Sequence, residues 1–240
     1  MNKSIAFSTY ISKDNTNSRI DIFKQCIDSL YATNYDGPVV IVDDCSITDE
    51  HLNYASQYKP DIVQKSVRGG VAKSKNTGIR KCLEYNAELI FLSDDDVLFI
   101  DKDWYNYYEE AYKATYIDHI SYALSNSAQK NSKITKINDY EIRQTRFVNG
   151  CFLMITKRLI DQIGYFKCMS QFYGHEHSNF STRYQHYCKG RFYDIVNSND
   201  LISHKNTTNI PCMSHEERMA GLQQNGREFS RLEKYVEIQE

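Results

Sequence analysis

No apolar stretch in this 240-residue chain approaches the length of a transmembrane helix. The N-terminus also lacks the apolar core of a signal peptide. There is no block of basic residues, and 29 Lys and Arg against 31 Asp and Glu leave a formal charge of -2. That balance excludes a polybasic membrane anchor and gives no electrostatic footprint for nucleic acid. No C-x-x-C pair occurs among the 7 cysteines, whose number is odd and whose positions are scattered. A disulfide framework or a structural zinc site is therefore not expected, and a reducing, cytoplasmic setting fits best. Proline is scarce at 3 residues. Neither an internal repeat nor a low-complexity linker divides the chain, so one domain is expected.

What is present is an alternation of short apolar runs and amphipathic segments. Residues 3–9 read as a buried strand, and Ile20, Phe23, Ile27, Leu30 and Tyr31 have helical spacing over 17–33. Val39-Val40-Ile41-Val42 is too short for a helix and rich in β-branched residues. A helix over 48–58, a strand at 61–64, a Gly69-Gly70 turn, a helix to about 85 and a strand at 88–92 follow. Strands separated by helices imply a mostly parallel sheet with helices on both faces, an α/β fold of Rossmann type. Ligands of such sheets bind beyond the carboxyl ends of the strands.

Those carboxyl ends are acidic. The second strand runs into Asp43-Asp44, and the fourth into Asp94-Asp95-Asp96, after which apolar residues resume at once. Adjacent like charges repel, and a bound cation offsets the repulsion. Oxygen ligands suit a hard divalent ion, Mg²⁺ or Mn²⁺, with coordination positions left for a phosphate ester.

The second half is less regular. Residues 119–123 and 133–137 read as strands, 147–155 as a strand interrupted by Gly150, and 157–164 as a short helix closed by Gly164. Tyr173-Gly174-His175-Glu176-His177 precedes a helix over about 177–189, and Ile202-Ser203-His204 follows a last short strand. From Ser214 the chain is polar and helix-prone, and reads as a tail packed loosely on the domain.

Four elements in order resemble glycosyltransferase family 2. They are Ser8-Thr9 ending the first strand, Asp43-Asp44-Cys45-Ser46-Ile47-Thr48-Asp49, the segment Gly70-Val71-Ala72-Lys73-Ser74-Lys75-Asn76-Thr77-Gly78-Ile79, and Asp94-Asp95-Asp96 as the Asp-x-Asp motif. Asn149-Gly150-Cys151-Phe152 resembles the family's acceptor-side strand. Tyr173-Gly174-His175-Glu176-His177 resembles its Gly-x-Glu-Asp segment, with His where the family has Asp. The resemblance implies a single GT-A domain over 1–213. Its nucleotide-binding half would cover about 1–98 and its acceptor half, with a smaller β element, about 99–213. Residues 214–240 would form a helical tail.

The resemblance also implies roles. Asp43 or Asp44 would accept the uracil N3–H of a UDP-sugar, and Thr9 would contact base or ribose. Lys75 would lie near the pyrophosphate, where Lys lacks the bidentate fork of Arg. Asp96 would bind Mn²⁺ or Mg²⁺, Asp94 would face the ribose or a metal-bound water, and Asp95 would turn away. His204 would be a further ligand, favouring Mn²⁺. Glu176 or His177 would be the general base, with Gly150, Tyr173 and His175 shaping the acceptor site. The implied reaction moves a sugar from the donor to an acceptor hydroxyl with inversion, in glycan or polysaccharide synthesis. The acceptor would be a glycan, a lipid-linked intermediate or a protein, reached from the cytoplasm or its membrane face. Donor sugar, acceptor and oligomeric state are not readable. Two alternatives stand beside this reading. One is a nucleotidyltransferase making NDP-sugars, disfavoured because residues 10–19 contain no glycine. The other is a catalytically silent sugar-nucleotide-binding relative.

Overall fold

The structure is a computed structural model, described over residues 1–14, 16–122, 134–137, 140–145, 148–196, 198–205 and 214–239. Strands β1 (Lys3–Thr9), β2 (Val39–Asp43), β3 (Asp61–Gln64) and β4 (Leu89–Asp94) alternate with helices α1 (Thr16–Tyr31), α2 (Glu50–Ala55) and α3 (Gly70–Glu84). These four strands are mutually parallel in the order β3-β2-β1-β4. The register pairs Thr9 with Asp43 and Ser8 with Asp94, so the acidic strand ends lie side by side.

Period-two alternation explains the layers. On one face, Ile5, Phe7, Ile41, Leu89 and Phe91 pack against Phe23 and Ile27 of α1, Leu52 of α2 and Trp104 and Tyr108 of α4 (Trp104–Thr115). On the other, Ala6, Val40, Val42, Ile90 and Leu92 meet Ile79 of α3, Leu159 of α5 (Lys157–Ile163) and Phe180 of α6 (Glu176–Tyr187). Gly78 is required where α3 crosses β1, because a Cβ there would lie 2.8 Å from that of Ala6.

The second half extends the same sheet through β9 (Phe152–Thr156), β6 (His119–Ser121), β10 (Phe192–Ile195), β8 (Tyr140–Thr145) and β7 (Ile134–Ile137). β9 and β8 run against the rest, so the sheet is mixed but mostly of one direction. A separate ribbon pairs β5 (Val97–Phe99) with β11 (Ile202–His204), which follows the single-turn helix α7 (Ser198–Leu201). Several features depart from expectation. Helix α4, strand β8 and the ribbon were not anticipated. The strand expected at 147–155 begins at Phe152, and residue 147 lies outside the described residues, as do 123 and 133 of the other expected strands.

Helix α8 (His215–Phe229) opens on a capping box between Ser214 and Glu217. It is helical as expected, but the segment is not loosely attached. Val236 is buried and pairs with Gly164, and Gln239 accepts from Asn76. Among the described residues no helix is long and apolar enough to cross a membrane.

Candidate active site at the carboxyl edge of the sheet

The Asp triplet occupies the turn between β4 and β5, and its three side chains diverge. Asp94 is the most open, with its side chain 38% exposed, and Lys75 Nζ lies 3.1 Å from its Oδ1. Burial, with Asp96 and Asp95 nearby, raises its carboxyl to about 6 against the pull of Lys75. Because the side chain is more than a third exposed, solvent tempers that rise.

Asp95 turns away from the crevice, into the protein. It accepts from Thr9 Oγ1 at 2.7 Å and forms a buried ion pair with Arg19. Burial raises its carboxyl, opposed chiefly by that guanidinium.

Asp96 lies between a guanidinium and an imidazole. Arg19 is 3.5 Å from its Oδ2, and His204 Nε2 is 3.3 Å from its Oδ1. The ribbon creates this meeting, because β11 places His204 opposite Val97 and the Lys205 amide donates to the Asp96 carbonyl at 2.8 Å. The hydrogen bond to Asp96 raises the His204 imidazole above its ordinary value, against the cost of burial.

Two donors of different chemistry, a carboxylate and an imidazole, thus converge beside an open carboxylate. This set fits a divalent ion such as Mn²⁺, with the remaining positions left to water and ligand oxygens. Among the described residues no group of three or more His, Cys, Asp or Glu is placed to hold a metal ion by itself. The fit is therefore a partial shell completed by others.

The other donor-side residues are held more deeply than their sequence positions imply. Asp43 is fully buried, and its carboxylate accepts from the Ser46 amide and hydroxyl and contacts His51 Nε2 at 3.1 Å. Asp44 accepts from the Gly69 and Gly70 amides at 2.8 and 2.7 Å, tying β2 to the start of α3. Gly70 has φ +83°, and a Cβ there would meet the Phe172 backbone at 2.6 Å, so the turn needs glycine. The Thr9 hydroxyl is committed to Asp95. Lys75 is 2% exposed and donates to the Gly150 carbonyl at 2.5 Å, which holds it between that carbonyl and Asp94.

Glu176 begins α6 and is buried. Its Oε2 accepts from the Gly174 amide at 2.8 Å, and its Oε1 lies 3.4 Å from His177 Nδ1. Burial pushes its carboxyl up, but the His177 hydrogen bond and charge, with Lys75 further off, hold it below the ordinary glutamate value. The His177 side chain is 25% exposed, and its ring lies against Gly150, where a Cβ would come within 2.6 Å of Nδ1. His175 Nε2 lies 3.1 Å from the Leu222 carbonyl of α8. Tyr173 packs under Arg218 of α8.

Sequence reasoning missed Arg19 and Asn225. Arg19 carried a signal, since it precedes Ile22, Phe23 and Cys26 at helical spacing on a buried face, where a charge needs a partner. Asn225 carried none.

A mostly parallel α/β sheet flanked by helices, with a separate two-stranded ribbon, is the GT-A architecture. The family described as Glycosyl transferase family 2 matches residues 15–170, and the chain belongs to that family. A glycosyltransferase of Acanthamoeba polyphaga mimivirus, itself uncharacterized, is 32% identical over 203 residues, covering 82% of this chain and 79% of its own. Among solved structures, S. aureus TarS 1-349 in complex with UDP-GlcNAc superposes with TM-score 0.59 at 17% identity, covering 82% of this chain and 56% of that one. The mannosyltransferase PcManGT from Pyrobaculum calidifontis, with GDP-Man and Mn²⁺, gives TM-score 0.57 at 16% identity, covering 79% and 53%. GalNAc-T7 with UDP, GalNAc and Mn²⁺ gives 0.64 at 12% identity, covering 85% and 43%. The chain thus spans about half the length of these solved relatives, whose similarity shows the GT-A fold.

Proposed function

We propose that this glycosyltransferase moves a sugar from a UDP-sugar to an acceptor hydroxyl, with inversion and with a divalent metal, in polysaccharide or glycan synthesis in the cytoplasm. The observation that carries this reading is the meeting of Asp96 with His204 beside the open Asp94. The fold likeness to chains holding UDP-GlcNAc, or GDP-Man with Mn²⁺, supports it.

Asp96 and His204 would hold the ion, and Asp94 would orient a bound water or the ribose. When bound, the metal supplies positive charge that stabilises the departing diphosphate. Lys75 fixes the Asp94 carboxylate and, through the Gly150 carbonyl, the distance between donor and acceptor strands. Of the adjacent pair at the end of β2, Asp44 is the better candidate for the uracil contact, at 5% exposure against 0% for Asp43. Thr9 contributes indirectly, through Asp95.

As the donor bond breaks, the anomeric carbon gains oxocarbenium character and the acceptor hydroxyl attacks from the opposite face. Glu176 would take the hydroxyl proton. Its depressed pKa keeps it ionised at neutral pH, and His177 and the Gly174 amide fix its geometry. His177 is the more exposed of the pair and is the second reading for the base. Gly150 and Tyr173 belong to the acceptor side, for a glycan, lipid-linked or protein acceptor.

The test is metal-dependent UDP release from a panel of UDP-sugars. Release that requires Mn²⁺ or Mg²⁺ supports the reading. Binding without turnover when a suitable acceptor is present indicates a silent relative, and pyrophosphate production from UTP and sugar phosphate indicates a nucleotidyltransferase.

A further inference from the structure

Helix α8 lies directly on the backbone of the loop that precedes Glu176. Gly221 and Asn225, four residues apart and so on one helix face, are its buried residues. A Cβ at Gly221 would stand 2.4 Å from the Tyr173 carbonyl oxygen, so only glycine permits this approach. One turn on, Asn225 is 1% exposed. Its Nδ2 donates toward the carbonyls of Tyr173 and Gly174, each at 2.9 Å, and of Gln171 at 3.2 Å. Its Oδ1 accepts from the Gln171 amide at 3.1 Å. A single buried amide thus contacts four polar backbone groups of this turn.

One of those contacts bears on the chemistry. The Tyr173 carbonyl and the Gly174 amide belong to the same planar peptide unit and point in opposite directions. Asn225 holds the carbonyl end, and the amide end donates to Glu176 Oε2 at 2.8 Å. Hydrogen bonding at a carbonyl polarises the peptide and strengthens its N–H as a donor. The turn also needs external support, because Gly174 sits at φ +106° and His175 at φ +68°.

We propose that Asn225 is a positioning residue for Glu176, acting through the Tyr173–Gly174 peptide to hold the Gly174 N–H against the carboxylate. This rests on the reading of Glu176 as the base. It gives α8 a function in the acceptor half, although α8 follows the segment that matches the family. The charged or titratable groups that face Glu176 are His177, beside it on α6, and Lys75 on α3. The Asn225 hydrogen bonds go to Gln171, Tyr173 and Gly174, so its contribution is measured separately from theirs.

The test follows the Glu176 carboxyl by ¹³C NMR in the full chain, with the signal assigned by its loss in Glu176→Gln. In the wild type the carboxyl titrates below the ordinary glutamate range. In Asn225→Leu its midpoint rises by about one pH unit, and exchange of the Gly174 amide accelerates by roughly tenfold or more. A folded Asn225→Leu protein with an unchanged midpoint and unchanged Gly174 exchange overturns the proposal. If that variant does not fold, Gly221→Ala, which drives a methyl toward the same carbonyl, is measured in the same two ways. A raised midpoint with faster exchange then supports the proposal, and no change in either overturns it. The base reading fails separately: Glu176→Gln with normal transfer would remove it, while the NMR midpoint still decides the role of Asn225.

Discussion

Lys75 Nζ sits 3.1 Å from Asp94 Oδ1 while donating to the Gly150 carbonyl at 2.5 Å, so one buried ammonium joins the end of β4 to the turn that precedes β9. Lys75→Met leaves the Gly150 carbonyl short of a donor and Asp94 without its cation. The expected cost is about 1–3 kcal/mol of stability, read as a lower urea midpoint. Transfer should fall by roughly 100-fold, measured as UDP release under saturating donor. Normal turnover in this variant would remove Lys75 from the site.

The Arg19–Asp95 pair is buried at both ends, at 4% and 6% side-chain exposure. Arg19→Leu leaves an uncompensated carboxylate inside the protein and should cost about 3–5 kcal/mol. Replacing Asp95 with Asn in the same chain should recover part of that loss, seen in thermal unfolding of the single and double variants.

Metal binding should depend on pH with a definite sign. Asp94 is raised to about 6 and His204 above its usual value, so both carry protons in mild acid. A cation must displace those protons. Mn²⁺ binding, followed by electron paramagnetic resonance, should be weak near pH 5 and strengthen as pH rises through about 6 and on through the raised His204 titration. His204→Gln should flatten the upper part of that rise. Binding that weakens as pH rises would contradict the assignment.

Removal of residues 214–240 tests how firmly the C-terminal segment belongs to the domain. The deletion strips the Asn225 contacts, the Val236–Gly164 pairing and the Gln239–Asn76 hydrogen bond. Stability should drop by about 3 kcal/mol or more, which lowers Tm by roughly 6 °C or more for a chain of this size. An unchanged Tm would restore the picture of a loose tail.

The first half of the sheet was readable because its signals are local. β1 to β4 and α1 to α3 each announce themselves by periodicity within one segment, and the turn residues between them are glycines and aspartates. Side-chain direction was only partly readable. The inward turn of Asp95 matches expectation, but spacing could not show that Asp43 and the Thr9 hydroxyl would be committed inside the fold. Helix α4 escaped because its tyrosines, at 105, 107, 108 and 112, blur the boundary between apolar and polar faces. The β5–β11 ribbon joins Val97 to His204 across more than a hundred residues, and no local pattern encodes such pairing. His204 was nevertheless named from the family resemblance, and the ribbon gives it a partner in Asp96. Asn225 lies in a polar helix whose buried face is two small residues, Gly221 and itself, too little to register as amphipathic.

The central claim is that Asp96 anchors a metal through which a nucleoside diphosphate is bound. Calorimetric titration of UDP into the full chain, with and without Mn²⁺, in wild type and in Asp96→Ala, tests it most directly. The account predicts UDP binding that requires Mn²⁺ in the wild type and is lost in a folded Asp96→Ala protein. UDP binding of equal strength in the variant, or without metal, would contradict it.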